Sequence, residues 1–418
     1  MVWLRCAIPG CCLLWALLYR TGGAAASVRL QAGISCAALL SGVEPHGGNR
    51  EALARRLGCR PDQLLDASAS LVPFGPPAWL RRHVVRALHN EALTSYPDRE
   101  QWALREAIAK SHGIQPQQVL PGNGAAELFT WIARDAAAVG INWLPAPGFA
   151  DYRRALATWD ACCCAQPLPL RWPADGPQPW PELSLPAEGV LWLTNPHNPT
   201  GQLWSRASLE PLLRRFALVV VDEAFLPLVP RGEQQSLVPW LDQHRNLVVI
   251  RSLTKVLSIP GLRLGYALGD PERLQRWHQW RDPWPVNGLA AAAGLAWFEV
   301  PRRAEQWQRR VQRWVTREGA WLQRELGALP GVTPMPSAAN YLLIRGERDG
   351  QPLSLQLLRE ALETRHRILL RDCRSFEGLD DSWLRIGYQS RRGNRRIIHA
   401  MRQELPQALN SSNTPASN

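Results

Sequence analysis

The stretch 252-SLTKVLSIPGLRLG-265 carries Lys255, one of only two lysines in a chain whose Lys and Arg together number 48. An amine can do there what a guanidinium cannot. Once desolvated or set near other cations it gives up its proton, attacks a carbonyl and forms a Schiff base. Ser252, Thr254 and Arg263 beside it are suited to a collar around an anion. Three further stretches offer chemistry. In 219-VVVDEAF-225 an apolar run ends on Asp222 and Glu223, and an acid at that depth needs a partner, either a nearby Arg or a protonated heterocyclic nitrogen. In 194-TNPHNPTGQ-202 two Asn-Pro steps force a turn at a strand end; Asn198 is a donor for a ligand oxygen, and His197 reads equally as a turn residue facing solvent. The turn 122-GNG-124 before a helical pattern is an anion site of backbone N–H groups, or simply a turn. It lacks the spacing of a dinucleotide fingerprint or a P-loop.

The elements that must position these residues alternate between strand and helix. Apolar strands are expected at 189-GVLWLT-194, 217-ALVVVDEA-224, 247-LVVIRSL-253 and 264-LGYALG-269, continuous runs that suit a sheet covered on both faces and hence an α/β core. Helices are expected at 50–58, 78–88, 99–113 and from the glycine turn to 136. A long helix over 304–326 carries Trp307, Val311, Trp314 and Leu322 on one face. It links a large domain (91–298) to a smaller α/β unit within 299–405, with strands 340–345, 368–372 and 383–389 and a closing helix at 393–405; residues 46–90 contribute to the small domain. The polar tail 406-PQALNSSNTPASN-418 is expected to be disordered.

Composition narrows the setting. A formal charge of +12 raises a nucleic-acid partner, but the arginines are scattered and no zinc-finger spacing or RNP-type strand occurs, so a solvated basic surface or an anionic substrate is expected instead. Nine cysteines form no CxxC pair, and Cys162, Cys163 and Cys164 are consecutive; a reduced, cytoplasmic chain with small cysteines in a strand is expected, with no metal. The first 45 residues, with 7-AIPGCCLLWALLY-19 before 23-GAAAS-27, resemble a signal peptide; Pro9 and Gly10 break the apolar run, whose remainder is too short for a membrane span, and the segment reads as a dispensable extension.

Taken together and in this order, the four stretches resemble fold-type I pyridoxal-phosphate enzymes of the class I/II aminotransferase superfamily, over about residues 46–405. The resemblance implies a large domain with a mostly parallel sheet flanked by helices, plus a smaller α/β domain. It implies that Lys255 bonds the cofactor, that Asp222 pairs with the pyridine nitrogen and that Asn198 bonds the phenolic oxygen. Gly124, Ala125 and Ala126, with Ser252 and Arg263, would hold the phosphate. Phe149, in 147-PGFADY-152, would stack on the ring, and Tyr96, in 95-SYPD-98, would reach the phosphate of a partner subunit in a homodimer. Many aminotransferases have DEAY where this chain has Phe225, which removes one hydrogen bond to the cofactor.

Three segments are similar to the L-threonine-O-3-phosphate decarboxylases of cobalamin biosynthesis: 46-HGGN-49 with 61-PDQLLDASASLVPFGPP-77, 251-RSLTKVLSIPGLRLGYALGD-270 and 367-RILLRDCRSFEGLDDSWLRIGYQ-389. That resemblance implies a carboxylate bound by Arg385, a second contact from Arg371, and a substrate phosphate met by His46 and Gly48. The expected reaction converts L-threonine O-3-phosphate to (R)-1-aminopropan-2-yl phosphate and CO2. Histidinol-phosphate aminotransferases share the cofactor residues and are the alternative.

Overall fold

A computed structural model describes residues 44–170, 176–183, 186 and 188–411. The expected extension lies outside them except for residues 44 and 45, as do residues 412–418 of the tail. From His46 onward the chain forms one unit.

In chain order the first strands are β1 (Leu65–Asp66), β2 (Val119–Asn123), β3 (Asn142–Ala146), β4 (Cys163–Pro167), β5 (Val190–Thr194), β6 (Leu218–Asp222), β7 (Leu247–Ser252) and β8 (Leu264–Leu268). Strands β2 to β8 form a seven-stranded sheet in the order β2-β8-β7-β6-β5-β3-β4. Only β8 runs against its neighbours; the β3–β4, β3–β5, β5–β6 and β6–β7 pairs are all parallel. The continuous apolar runs have the expected cause. Leu191, Leu193, Val219, Val221 and Val249 enter one core layer, while Val190, Trp192, Leu218, Val220 and Val248 enter the other, because successive strand side chains point to opposite faces. Thr194, Asp222 and Ser252 are the last residues of β5, β6 and β7, so the three chemical stretches leave the same edge of the sheet.

A second, antiparallel sheet is built from β9 (Val332–Pro334), β10 (Tyr341–Arg348), β11 (Gln351–Pro352), β13 (Arg371–Asp372) and β14 (Trp383–Gly387), in the order β11-β10-β14-β13 with β9 on β10. Strand β12 (Ile368–Leu369) pairs instead with β1, parallel, and Gly387 N–H donates to the Ala67 carbonyl at 2.7 Å. The segment after His46 is thereby sewn to the carboxy-terminal part of the chain.

The helix Pro301–Gly327 spans 27 residues and buries Trp307, Val311, Trp314, Val315, Leu322 and Leu326 along one stripe. Two of its three indoles reach opposite parts of the molecule: Trp307 Nε1 donates to the Val256 carbonyl at 2.8 Å, next to Lys255, and Trp314 Nε1 to the Gln389 carbonyl at 3.1 Å, just past β14. The final helix, Arg391–Ser411, corrects the expectation of a tail disordered from 406, since it continues through Pro406. Arg365 Nη1 holds Glu404 at 2.7 Å and Gln407 at 3.1 Å, one on each side of the proline, and so carries the helix past the missing N–H.

Candidate active site

Lys255 lies on the short helix Leu253–Leu257 that follows β7 directly. Burial, then the cations Arg385 and Arg263, lower its proton affinity to a pKa of about 8, against a smaller opposing pull from Asp222. Its Nζ sits 5.5 Å from the centre of the Phe225 ring. A fraction of neutral amine near pH 7 is what a nucleophilic lysine requires.

Asp222, at the end of β6, is 5% exposed, and burial pushes its carboxyl up to a pKa of about 6. Its partner is not an arginine. Tyr152 donates its hydroxyl to Asp222 Oδ2 at 2.8 Å and also meets Thr194 Oγ1 at 2.8 Å, while Ala224 N–H donates to Oδ1 at 3.0 Å. The arginine partner belongs to the neighbouring acid: Glu223 is fully buried, 2.7 Å from Arg251, and accepts from Ser236 Oγ and Leu237 N–H. The two acids of DEAF thus point to opposite sides of the sheet, one toward the site and one into a structural ion pair.

The glycine turn ends β2 and opens the helix Gly124–Val139, whose first amides have no intrahelical acceptor. Gly124 has φ +74, and a Cβ there would lie 2.5 Å from Arg263 Nη2, so the guanidinium closes directly over the turn. Gly265 permits the same approach from β8; a Cβ on it would meet Ala125 N at 2.8 Å and the Arg251 carbonyl at 2.9 Å. The Ala126 carbonyl accepts from Arg154 at 3.1 Å, and the Ser252 hydroxyl does not cap the helix that follows it. Backbone amides at a helix start, one guanidinium and one hydroxyl form a donor set for a phosphate.

Asn198 and Arg385, far apart in sequence, meet: Arg385 Nη1 donates to Asn198 Oδ1 at 2.5 Å and Nη2 to the Ser68 carbonyl at 3.1 Å. Arg385 is 6% exposed, its Nε finds no acceptor, and no carboxylate pairs with it among the described residues. Burial lowers its proton affinity, and its guanidinium lies 4.8 Å from the centre of the Tyr341 ring. Arg371 is its cross-strand partner on β13, 3% exposed, donating to Ser375 Oγ at 2.5 Å. Both guanidinium groups sit over the Phe376 ring, at 5.0 and 5.8 Å. Fourteen positions apart in the chain, they are directly opposite in the sheet.

His46 and Gly48 pack onto the same place. Gly48 N–H donates to Ser68 Oγ at 2.8 Å, and a Cβ on Gly47 would fall 2.3 Å from the Ser68 carbonyl, the one that accepts from Arg385. His46 Nε2 lies 3.9 Å from Asp151 and its ring 5.7 Å from Phe149, which in turn stands at the start of the helix Ala150–Ala157. The solvent-facing alternative for His197 is not met. His197 is buried, 1% exposed, with Nδ1 at 2.7 Å from Thr200 Oγ1, and burial takes its pKa down to about 3. Tyr96 is 79% exposed and stacks on Trp284 at 4.3 Å.

The donor set suits pyridoxal phosphate on grounds of chemistry alone: an amine with lowered proton affinity, a buried carboxylate for a protonated ring nitrogen, a glycine cradle for a phosphate, and an unpaired buried guanidinium. Sequence reasoning missed Tyr152, Ser68 and Phe376. Only the spacing of three between Phe149 and Tyr152, which places both on one helix face, hinted at any of them.

Residues 65–401 match the family described as aminotransferase class I and II. The chain is 36% identical over 372 residues to the threonine-phosphate decarboxylase of Salmonella typhimurium, with 86% of this chain and 96% of that protein covered. The crystal structure of L-threonine-O-3-phosphate decarboxylase from Porphyromonas gingivalis is similar at 25% identity and a TM-score of 0.69, covering 82% of this chain and 100% of that one. Histidinol-phosphate aminotransferase from Sinorhizobium meliloti, solved in complex with pyridoxal-5'-phosphate, shares the fold at 20% identity and a TM-score of 0.73, covering 88% of this chain and 97% of that one. With the match spanning both sheets and every site residue just described from Ser68 onward, the chain belongs to the class I and II aminotransferase family.

Proposed function

We propose that the protein is a pyridoxal-phosphate-dependent carboxy-lyase that converts L-threonine O-3-phosphate to (R)-1-aminopropan-2-yl phosphate and CO2, serving cobalamin biosynthesis in the cytoplasm. The observation that carries this reading is Arg385, a buried guanidinium with a free Nε and no carboxylate of its own, opposite a second buried arginine. A buried unpaired charge is costly unless a ligand completes it, and a guanidinium fork matches a carboxylate. Bound pyridoxal phosphate supplies an electron sink for the pair left when a bond at the substrate's α carbon breaks.

The chain's own residues divide the remaining work. Arg385 grips the substrate carboxylate, held in register by Asn198 Oδ1 and the Ser68 carbonyl. Arg371 adds charge from the adjacent strand. His46 and Gly48 face the substrate phosphate from the loop seated on Ser68. Lys255 provides a neutral amine and a proton carrier, Asp222 holds a proton on the ring nitrogen, and Asn198 meets the ring oxygen. Phe149 covers the ring. Gly124, Ala125, Ala126, Ser252 and Arg263 hold the cofactor phosphate. Which α bond breaks follows from how the arginines hold the carboxylate relative to the ring. We also infer a homodimer in which Tyr96 reaches the partner's site; the exposure of Tyr96 beside Leu93, 66% exposed, supports it. Residues 91–298 would form the cofactor domain and 299–405, with 46–90, the small domain.

The test is product analysis with threonine phosphate as sole substrate and no 2-oxo acid. Stoichiometric CO2 and the amino alcohol phosphate are expected. Stoichiometric conversion of the cofactor to pyridoxamine phosphate without CO2 would overturn the reading in favour of an aminotransferase.

A further inference from the structure

The helix Ala150–Ala157 touches the site at more points than its Phe149 and Tyr152. Its Arg153 forms an ion pair with Glu377, and Arg153 Nη1 also lies 3.4 Å from Cys163 Sγ, so the guanidinium is steadied on the seven-stranded sheet while it reaches across. Glu377 follows Phe376, the ring on which both Arg371 and Arg385 rest. The backbone makes the same approach: Gly378, at φ +86, has its Cβ direction 3.8 Å from Pro147 N and 4.0 Å from the Ala146 carbonyl carbon. Ser375, bonded to Arg371 at 2.5 Å, completes the segment. The loop Cys373–Leu379 is therefore a platform beneath two arginines, attached at one end to β13.

We propose that Arg153 and Glu377 are positioning residues whose ion pair clamps this platform to the seven-stranded sheet and so sets the affinity for the substrate's carboxylate. Neither touches substrate or cofactor. With side chains 35% and 40% exposed, the pair remains accessible to salt, and its strength falls in the range of solvent-exposed ion pairs. Releasing it frees Phe376 to drift and the two guanidinium groups to lose their shared orientation. The cofactor residues on β6 and β7 and at the glycine turn are left in place.

This rests on the reading of Arg371 and Arg385 as carboxylate-binding residues, and the experiment separates the two. Arg153→Gln, Glu377→Gln and the reversed pair Arg153→Glu with Glu377→Arg would be prepared as holoenzymes. Amide hydrogen exchange of residues 373–379 is measured without substrate, and Kd and turnover with threonine phosphate. Each single variant should exchange up to about 5-fold faster over 373–379 and bind threonine phosphate about 2- to 5-fold more weakly. Cofactor affinity and turnover at saturation should be unchanged, and the reversed pair should restore both exchange and affinity. Equal protection in the single variants, weaker binding without faster exchange, or a reversed pair no better than the singles would overturn the clamp. If the unmodified protein fails to bind threonine phosphate, the functional reading falls, while the exchange measurement still decides whether the clamp exists.

Discussion

At the scale of single residues, the site is a set of groups held away from their ordinary protonation. Burial raises the proton affinity of Asp222, unlike that of most paired carboxyls. Its protonated form is favoured in the folded chain, so its contribution to stability is complete below pH 3.8 and is lost as the pH rises through about 6. A rise of that size corresponds to about 3 kcal/mol at about 1.36 kcal/mol per pH unit. Cofactor-free Asp222→Asn should therefore lose less stability than wild type between pH 4 and 7, by up to about 3 kcal/mol in urea unfolding. Tyr152→Phe removes a hydrogen bond that favours the carboxylate. The Asp222 carboxyl, followed by infrared spectroscopy in the cofactor-free protein, should then titrate above its wild-type value; an unmoved titration would deny Tyr152 this role. Arg385→Lys keeps the charge and loses the fork. It should raise KM for threonine phosphate by about 10- to 100-fold in steady-state assays, with a small change in cofactor affinity.

At the scale of elements, the chemistry depends on close approaches that glycine permits. Gly124→Ala would place a methyl against Arg263 at a positive φ, and equilibrium dialysis should show cofactor affinity reduced by about 10-fold, or about 1.4 kcal/mol, from backbone strain together with displacement of the guanidinium. The strands that end on Asp222 and lead into Lys255 were legible because they are unbroken apolar runs, and the long helix because its Trp307–Val311–Trp314 stripe keeps helical spacing. Other elements were hidden for physical reasons. Strand β3, 142-NWLPA-146, contains a proline that argues against a strand, and it pairs all the same with β4 and β5. The helix Gly288–Glu299 has five alanines and two glycines, with no polar face to mark a period. In the site, Lys255, Asp222 and the glycine turn announced themselves by residue type. The meetings of Tyr152 with Asp222 and of Asn198 with Arg385 are products of folding across 70 and 187 positions, which no local pattern encodes.

At the scale of the whole molecule, charge and assembly dominate. A net +12 attracts an anionic substrate over distances that salt curtails. Raising ionic strength from about 0.02 to about 0.5 M should lower kcat/KM several-fold while leaving saturated turnover nearly constant, as stopped-flow and steady-state assays would show. No helix among the described residues is long and apolar enough to cross a membrane, and none of the five cysteines described is in a disulfide. The cross-strand pairing of Arg371 with Arg385 has a consequence for the fold itself. Like charges directly opposite on neighbouring strands repel, and an anion bound between the two guanidinium groups would relieve that repulsion. An occupied site is then a better-knit sheet, and the melting temperature becomes a gauge of ligand chemistry: simple carboxylates and phosphates should stiffen β13 and β14 even where no turnover follows.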